Sequence, residues 1–142
     1  MKSAGTVTTI CLLLVAPTLF AQSEGQRLMK VNVPFAFGVE DISLPAGQYI
    51  IFTATPDQTI RIVSTDGRYS AVINTLLNYA QKPASKSRLV FHKYGDEYFL
   101  AQVWTAGRKV ARNPLSSQRA MEIASSGRKP GTVTVVALAD RK

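Results

Sequence analysis

The amino-acid sequence predicts a mainly β protein, an antiparallel β-sandwich or barrel of about seven to eight strands with one short helix near the C-terminus. Three observations carry this expectation. Apolar and polar residues alternate over short runs, the period of a strand with one buried face. Turn chemistry separates the runs, notably at Leu44-Pro45-Ala46-Gly47, Asp66-Gly67 and Gly95-Asp96. A single stretch, after Asn113-Pro114, has helical spacing.

The N-terminus comes first. Met1-Lys2 supplies a positive start, and Ile10-Cys11-Leu12-Leu13-Leu14-Val15-Ala16 is an unbroken apolar run that ends at Pro17. A membrane-spanning helix needs about 20 apolar residues, so this shorter run predicts a secretory signal peptide over residues 1–21. Cleavage follows Ala21, or Ser23 two residues on, where Ala21-Gln22-Ser23 fits a small-x-small site. Residues 22–142 then form a single β-rich domain, secreted to the periplasm or exterior, with no transmembrane segment left. Cys11, the single cysteine, leaves with the signal. A cysteine-free mature chain has no disulfide, no thiolate nucleophile and no cysteine metal site.

Met29, Val31, Val33, Phe35 and Phe37 alternate with Lys30, Asn32, Pro34 and Ala36, which predicts a half-buried strand. Pro34 lacks an N–H for a ladder and places this strand at an edge or at a break in pairing. The turn at Pro45-Ala46-Gly47 leads into a strand over residues 48–55. Asp66-Gly67 predicts a two-residue hairpin loop with φ > 0 at both positions. Pairing Thr65 with Arg68 sets Ile62 opposite Ala71 and Ile60 opposite Ile73, which collects the large apolar residues on one face. Residues 81–87 read as a loop. Residues 88–94 and 98–104 form a second hairpin around Gly95-Asp96-Glu97, apolar on both faces and therefore central. Asn113 as N-cap and Pro114 as first helical residue start a helix over about residues 114–124. Ser117, Ala120, Met121 and Ala124 share one face of it, Arg119 pairs with Glu122 on the other, and Gly127 stops it. The last strand covers about residues 132–139, and its apolar run 135–139 calls for burial.

The segments Val33-Pro34-Phe35-Ala36-Phe37, Leu44-Pro45-Ala46-Gly47-Gln48-Tyr49 and Leu89-Val90-Phe91-His92-Lys93-Tyr94-Gly95-Asp96-Glu97-Tyr98-Phe99-Leu100, followed by Val103-Trp104, resemble a family of short secreted bacterial proteins of unassigned function. The likeness covers residues 28–124. It implies a secreted β domain and carries no activity or ligand.

Composition thins out the chemistry. The chain has 142 residues, 46% hydrophobic and 18% charged, with 1 His, 1 Cys and 1 Trp. His92, the one imidazole, sits mid-strand without a triad or zinc signature. The acid pairs Glu40-Asp41 and Asp96-Glu97 are adjacent in turns, where neighbouring carboxylates point apart, and read as solvated turns. No phosphate loop, calcium loop or hydrolase elbow is present, so the expectation is a protein that is not an enzyme, with no catalytic, cofactor-binding or metal residues. Trp104, Tyr94 and Tyr98 form a sugar-stacking platform only if they lie outside the core.

Charge asymmetry is the one feature open to a functional reading, and a solvated basic face that keeps the protein soluble is the weightier reading of it. Of the +8 net charge, most lies after residue 106, in Arg108, Lys109, Arg112, Arg119, Arg128, Lys129, Arg141 and Lys142 against Glu122 and Asp140. Arg108, Lys109, Arg112, Arg128 and Lys129 are the candidate anion-binding residues, suited to an anionic polysaccharide or a membrane surface. No nucleic-acid motif accompanies the charge. The expected role is a non-catalytic binding or assembly module of the cell envelope or exterior. The alternatives are a self-assembling structural subunit that uses edge strands, or a hydrolase without a recognisable motif. No particular oligomeric state is implied.

Overall fold

The computed structural model describes residue 5 and residues 25–54 and 58–139. The expected signal peptide, Gly5 apart, and its cleavage site lie outside the described residues. The chain is mainly β, with ten strands and one helix among the described residues. They run β1 (Arg27–Val33), β2 (Phe37–Val39), β3 (Ile42–Leu44), β4 (Gly47–Ala54), β5 (Thr59–Ser64), β6 (Ser70–Tyr79), β7 (Arg88–Tyr94), β8 (Glu97–Trp104), β9 (Val110–Pro114), α1 (Gln118–Ser125) and β10 (Gly131–Val136).

Eight of the strands follow the path β1-β4-β5-β6-β9-β8-β7-β10, every ladder antiparallel. The path returns on itself, because Leu138 N–H, just past β10, donates to the Lys30 carbonyl of β1 at 2.9 Å. The sheet therefore curls into a barrel. The β2–β3 hairpin lies beside it, and β2 joins β8 by a single parallel contact, Gly38 with Phe99, so the sheet is mixed. That hairpin accounts for the strands beyond the expected seven to eight. Pro34 is the cause: without an N–H it ends β1 at Val33, and the chain leaves the β4 ladder to start β2 at Phe37.

The interior is filled by alternate residues of the wall. Val31, Val33, Ile51, Ile60, Ile73 and Phe91 are each 0% exposed and pack into one core. Phe37 meets Tyr49 and Phe91 edge-on, with ring centroids 5.4 Å apart in both pairs. Burial pushes the Tyr49 phenol above its ordinary value, with Tyr69 and Asp66 nearby adding to it, and its hydroxyl donates to the Pro45 carbonyl across the preceding turn.

The β5–β6 hairpin has the register that its apolar pattern requires: Ile60 pairs with Ile73 and Ile62 with Ala71. Its turn differs from expectation. Gly67 has φ 76°, but Asp66 does not share it, since Glu40 is the one non-glycine residue with positive φ among the described residues. Gly67 N–H instead closes a turn on the Ser64 carbonyl at 2.9 Å, and Ser64 N–H donates to Tyr69 O at 2.8 Å, which leaves residues 65–68 as the connection. The Asp66 side chain causes this. Its carboxylate accepts from Ser64 Oγ at 2.7 Å and from Arg68 N–H at 3.0 Å, an Asx-type closure that replaces a primed turn.

The second hairpin is central, as expected: β8 pairs with β7 along one edge and with β9 and β2 along the other. Its connection is Gly95-Asp96, because Tyr94 pairs directly with Glu97.

The helix begins later than predicted. Asn113 and Pro114 form the end of β9, paired with Leu76 and Thr75 of β6. A β-ladder available across the sheet overrides the local cap signal. Ser117 is the N-cap, accepting from Ala120 N–H at 3.0 Å through Oγ. The buried face also differs, since Ile123 is the residue that packs inward whereas Met121 is 55% exposed. Gly127, at φ 85°, terminates the helix as expected. Strand β10 stops at Val136, and the run 135–139 is not buried as a block: Val135 and Ala137 pack against the core while Val136 and Leu138 face out.

Candidate functional site

Two ends of the barrel gather charge. At the first, β1 starts with a register irregularity between Arg27 and Met29, which releases Arg27 from the regular alternation. The β8–β9 connection arrives beside it. Gly107 has φ 78°, Arg108 N–H donates to Thr105 O at 3.1 Å, and the turn is tied to the 80–87 loop through Gly107 N–H to Ala84 O at 2.9 Å and Ala106 N–H to Ser87 Oγ at 3.0 Å. Arg112 follows on β9, paired with Val103 and Leu77. Arg27, Arg108 and Arg112 thereby line one cleft of about 300 Å³, with Thr53 and Thr105 between them and no carboxylate among the described lining residues. The Thr105 hydroxyl is shielded from solvent and has no hydrogen-bond partner among the described residues. A group in that state needs a reason, and a bound acceptor oxygen is one.

Of the five basic residues singled out from the sequence, Arg108 and Arg112 share this cleft, and Lys109 is exposed on the same connection. Arg128 lies elsewhere, with its guanidinium against Gly95 in the β7–β8 turn, and Lys129 follows it, exposed. The two groups sit at opposite ends of β8, a strand of 8 residues and so about 26 Å long at roughly 3.3 Å per residue. The five do not form one patch. Arg27 was missed, because its place beside Arg108 depends on strand order and on an irregular start to β1.

The other end brings the two acid pairs together. Glu40 and Asp41 in the β2–β3 turn line a cleft of about 370 Å³ with Asp96 of the β7–β8 turn and Glu97, the first residue of β8, beside Arg119. The fold itself uses three of these carboxylates. Glu40 accepts from Asn74 N–H at 3.1 Å, and its φ of 49° belongs to the two-residue hairpin loop between the paired Val39 and Ile42. Asp41 accepts from Gln118 N–H, at the start of α1, at 3.4 Å. Glu97 receives both Nε and Nη2 of Arg119, each at 3.2 Å, rather than Arg119 pairing with Glu122. That bond raises the Arg119 pKa above its ordinary value. Among the described residues no group of three or more His, Cys, Asp or Glu is placed to hold a metal ion.

The three aromatic side chains singled out from the sequence are engaged within the fold. Tyr98 stacks on Phe35 at 3.8 Å and carries the Lys93 ammonium 5.4 Å from its ring centre. Trp104 has the Arg88 guanidinium over its ring at 4.9 Å, and Tyr94 is 7% exposed. A sugar-stacking platform from Trp104, Tyr94 and Tyr98 is therefore not formed. His92 lies mid-strand, paired with Phe99 on one side and Thr132 on the other, with its side chain outward. No helix among the described residues is long and apolar enough to cross a membrane. No family model, no curated protein and no solved structure matches the chain.

Proposed function

We propose that this protein is an exported, non-catalytic β-barrel domain of the cell envelope or exterior that holds an anionic group of a polysaccharide in the cleft of Arg27, Arg108 and Arg112. The observation that carries the reading is three guanidinium groups on one recessed cleft of about 300 Å³ whose described lining has no carboxylate. A guanidinium has five N–H donors in a fixed fork, so Arg27 and Arg112, which are engaged within the protein, retain donors for an incoming oxyanion, and Arg108 projects from the turn. The recess suits a single sulfate or carboxylate group of a polymer. A membrane surface would call for cations spread over one face, and the basic residues lie instead at opposite ends of β8. Assembly through edge strands has less support, because the β1 and β10 edges meet each other through Leu138 and Lys30.

The test is retention on sulfated and on uronate polysaccharide, at low and at physiological salt, for the wild type, Arg108→Ser, Arg27→Ser and an Arg128→Ser/Lys129→Ser double variant. A hydrogen bond to a charged group contributes about 1.5–3 kcal/mol, so each cleft variant should bind roughly tenfold to a hundredfold more weakly, while the double variant binds as the wild type does. Equal losses in all variants would mean diffuse attraction to a basic surface. Retention on anionic vesicles but on neither polymer would move the partner to the membrane.

A further inference from the structure

We propose that a third cleft, beneath the β9–α1 connection, binds a small flat aromatic molecule bearing one N–H or O–H donor, with Asn113 Oδ1 as the acceptor. The cleft measures about 300 Å³ and is walled by Leu76, His92, Tyr94, Phe99, Asn113 and Leu115, a size at the lower end of small-molecule pockets, which start near 300 Å³. Two features point to a ligand. Asn113 Oδ1 is shielded from solvent and has no hydrogen-bond partner among the described residues. Leu76 is 63% and Leu115 44% exposed although both face this recess, so apolar surface at the rim is left uncovered.

The chemistry of the walls selects the occupant. Tyr94 and Phe99 meet edge to face at 6.1 Å and 67°, and a third ring fits such a pair in the same offset or edge-on manner. His92, Ser116 and Ser117 also border the cleft, but the buried group that lacks a partner is an acceptor and Glu40 lies on the same lining, so an anion is disfavoured and a donor is wanted. A buried oxygen left without a partner is costly, and a donor brought by the ligand removes that cost as it binds. The Asn113-Pro114 pair, which resembles a helix start, thus takes a different part: its β9 position, opposite Leu76, sets the amide on the outer face of the wall.

His92 supplies the readout. It is the one histidine of the chain and lines the cleft, so its ring-proton resonance reports binding there alone. Indole and 1-methylindole, which differ in the N–H donor, are titrated into the exported chain. Indole should shift the His92 signal saturably, and 1-methylindole should bind at least tenfold more weakly. Asn113→Leu should remove the difference between the two, while Asn113→Asp, which keeps an acceptor, preserves it. A non-saturating shift, equal affinities in the wild type, or discrimination that survives in Asn113→Leu would overturn the proposal. If Asn113→Leu does not fold, the wild-type contrast and Asn113→Asp decide. The site shares no residue with the arginine cleft, so either reading can fail without the other.

Discussion

Truncating two consecutive residues of β6 tests the whole arrangement of the barrel wall. Ile73 is 0% exposed and pairs with Ile60, also 0% exposed, whereas Val72, the preceding residue, is 60% exposed and lies opposite Arg61. Ile73→Ala deletes three carbons from a filled interior. At about 0.8 kcal/mol per buried methylene the transfer contribution is about 2.4 kcal/mol, and the cavity left behind brings the expected loss to about 2–5 kcal/mol. Val72→Ala removes two methyls that are largely in water and should cost under about 0.5 kcal/mol. Arg61→Ala falls between them, because its guanidinium lies 4.9 Å over the Phe52 ring, a contact contributing about 0.5–1 kcal/mol at such a site. Urea unfolding measures all three. With slopes of about 1–3 kcal/mol/M, a loss of about 3 kcal/mol moves the midpoint by about 1–3 M, well outside error. If Val72→Ala proved as damaging as Ile73→Ala, β6 would be displaced by one residue, every inward residue of the β5–β6 pair would be misassigned, and the closed barrel could not stand.

Gly67→Val should cost about 1–3 kcal/mol, all of it backbone strain, because φ is 76° and an added Cβ meets nothing within 4 Å; denaturant midpoints measure it. Asp66 is held below the usual carboxylate range, first by the Arg68 N–H bond and then by the Ser64 hydroxyl. Its folded pKa is thus depressed, so its contribution is complete above the ordinary carboxylate value and is lost as pH falls through the depressed one; Asp66→Asn should remove that part of the acid dependence, read from midpoints at neutral and strongly acid pH. Ser117→Ala deletes the N-cap acceptor of α1 and should cost about 0.5–2 kcal/mol in a thermal or urea melt; no loss would mean that Ile123 packing alone holds the helix.

The β5–β6 register was legible because it rests on two local facts, an apolar period of two and a turn signal between the runs. Ile60, Ile62 and Ile73 fall on one face in only one pairing, and the structure has that pairing. Pro34 was legible as a break for the same local reason, since it lacks a donor. The turn geometry was not: Asp-Gly is compatible with a primed turn, and the competing Asx closure depends on Ser64 and Arg68 lying within reach of one carboxylate. The helix start at Asn113-Pro114 failed because a capping pattern describes a chain with no better partner, and β6 offered one. At the clefts, sequence nearness misled in both directions. Arg108 and Arg128 belong to one basic stretch yet sit at opposite ends of β8, whereas Glu40-Asp41 and Asp96-Glu97 are remote in sequence and share a cleft. Both outcomes are set by strand order, which hydropathy alone does not encode.

The closed wall also decides where function can lie. Barrels that carry ligands inside leave their lumen open, and here Val31, Ile51, Ile60, Ile73 and Phe91 fill it at 0% exposure. Any ligand would have to be met by the connections or by the outer face. The two charged ends differ in what a ligand would gain there. At the acid-lined end, Glu40, Asp41 and Glu97 already accept from Asn74, Gln118 and Arg119, so an arriving cation must displace bonds that hold the β2–β3 hairpin and α1 to the barrel. At the arginine end the turn carrying Thr105 and Arg108 is fixed by backbone bonds to the 80–87 loop, and its side chains are not what holds it. An anion arriving there would meet a turn already held by backbone bonds. That asymmetry, more than the +8 net charge, is the physical reason for proposing the cleft of Arg27, Arg108 and Arg112 rather than the acid-lined one.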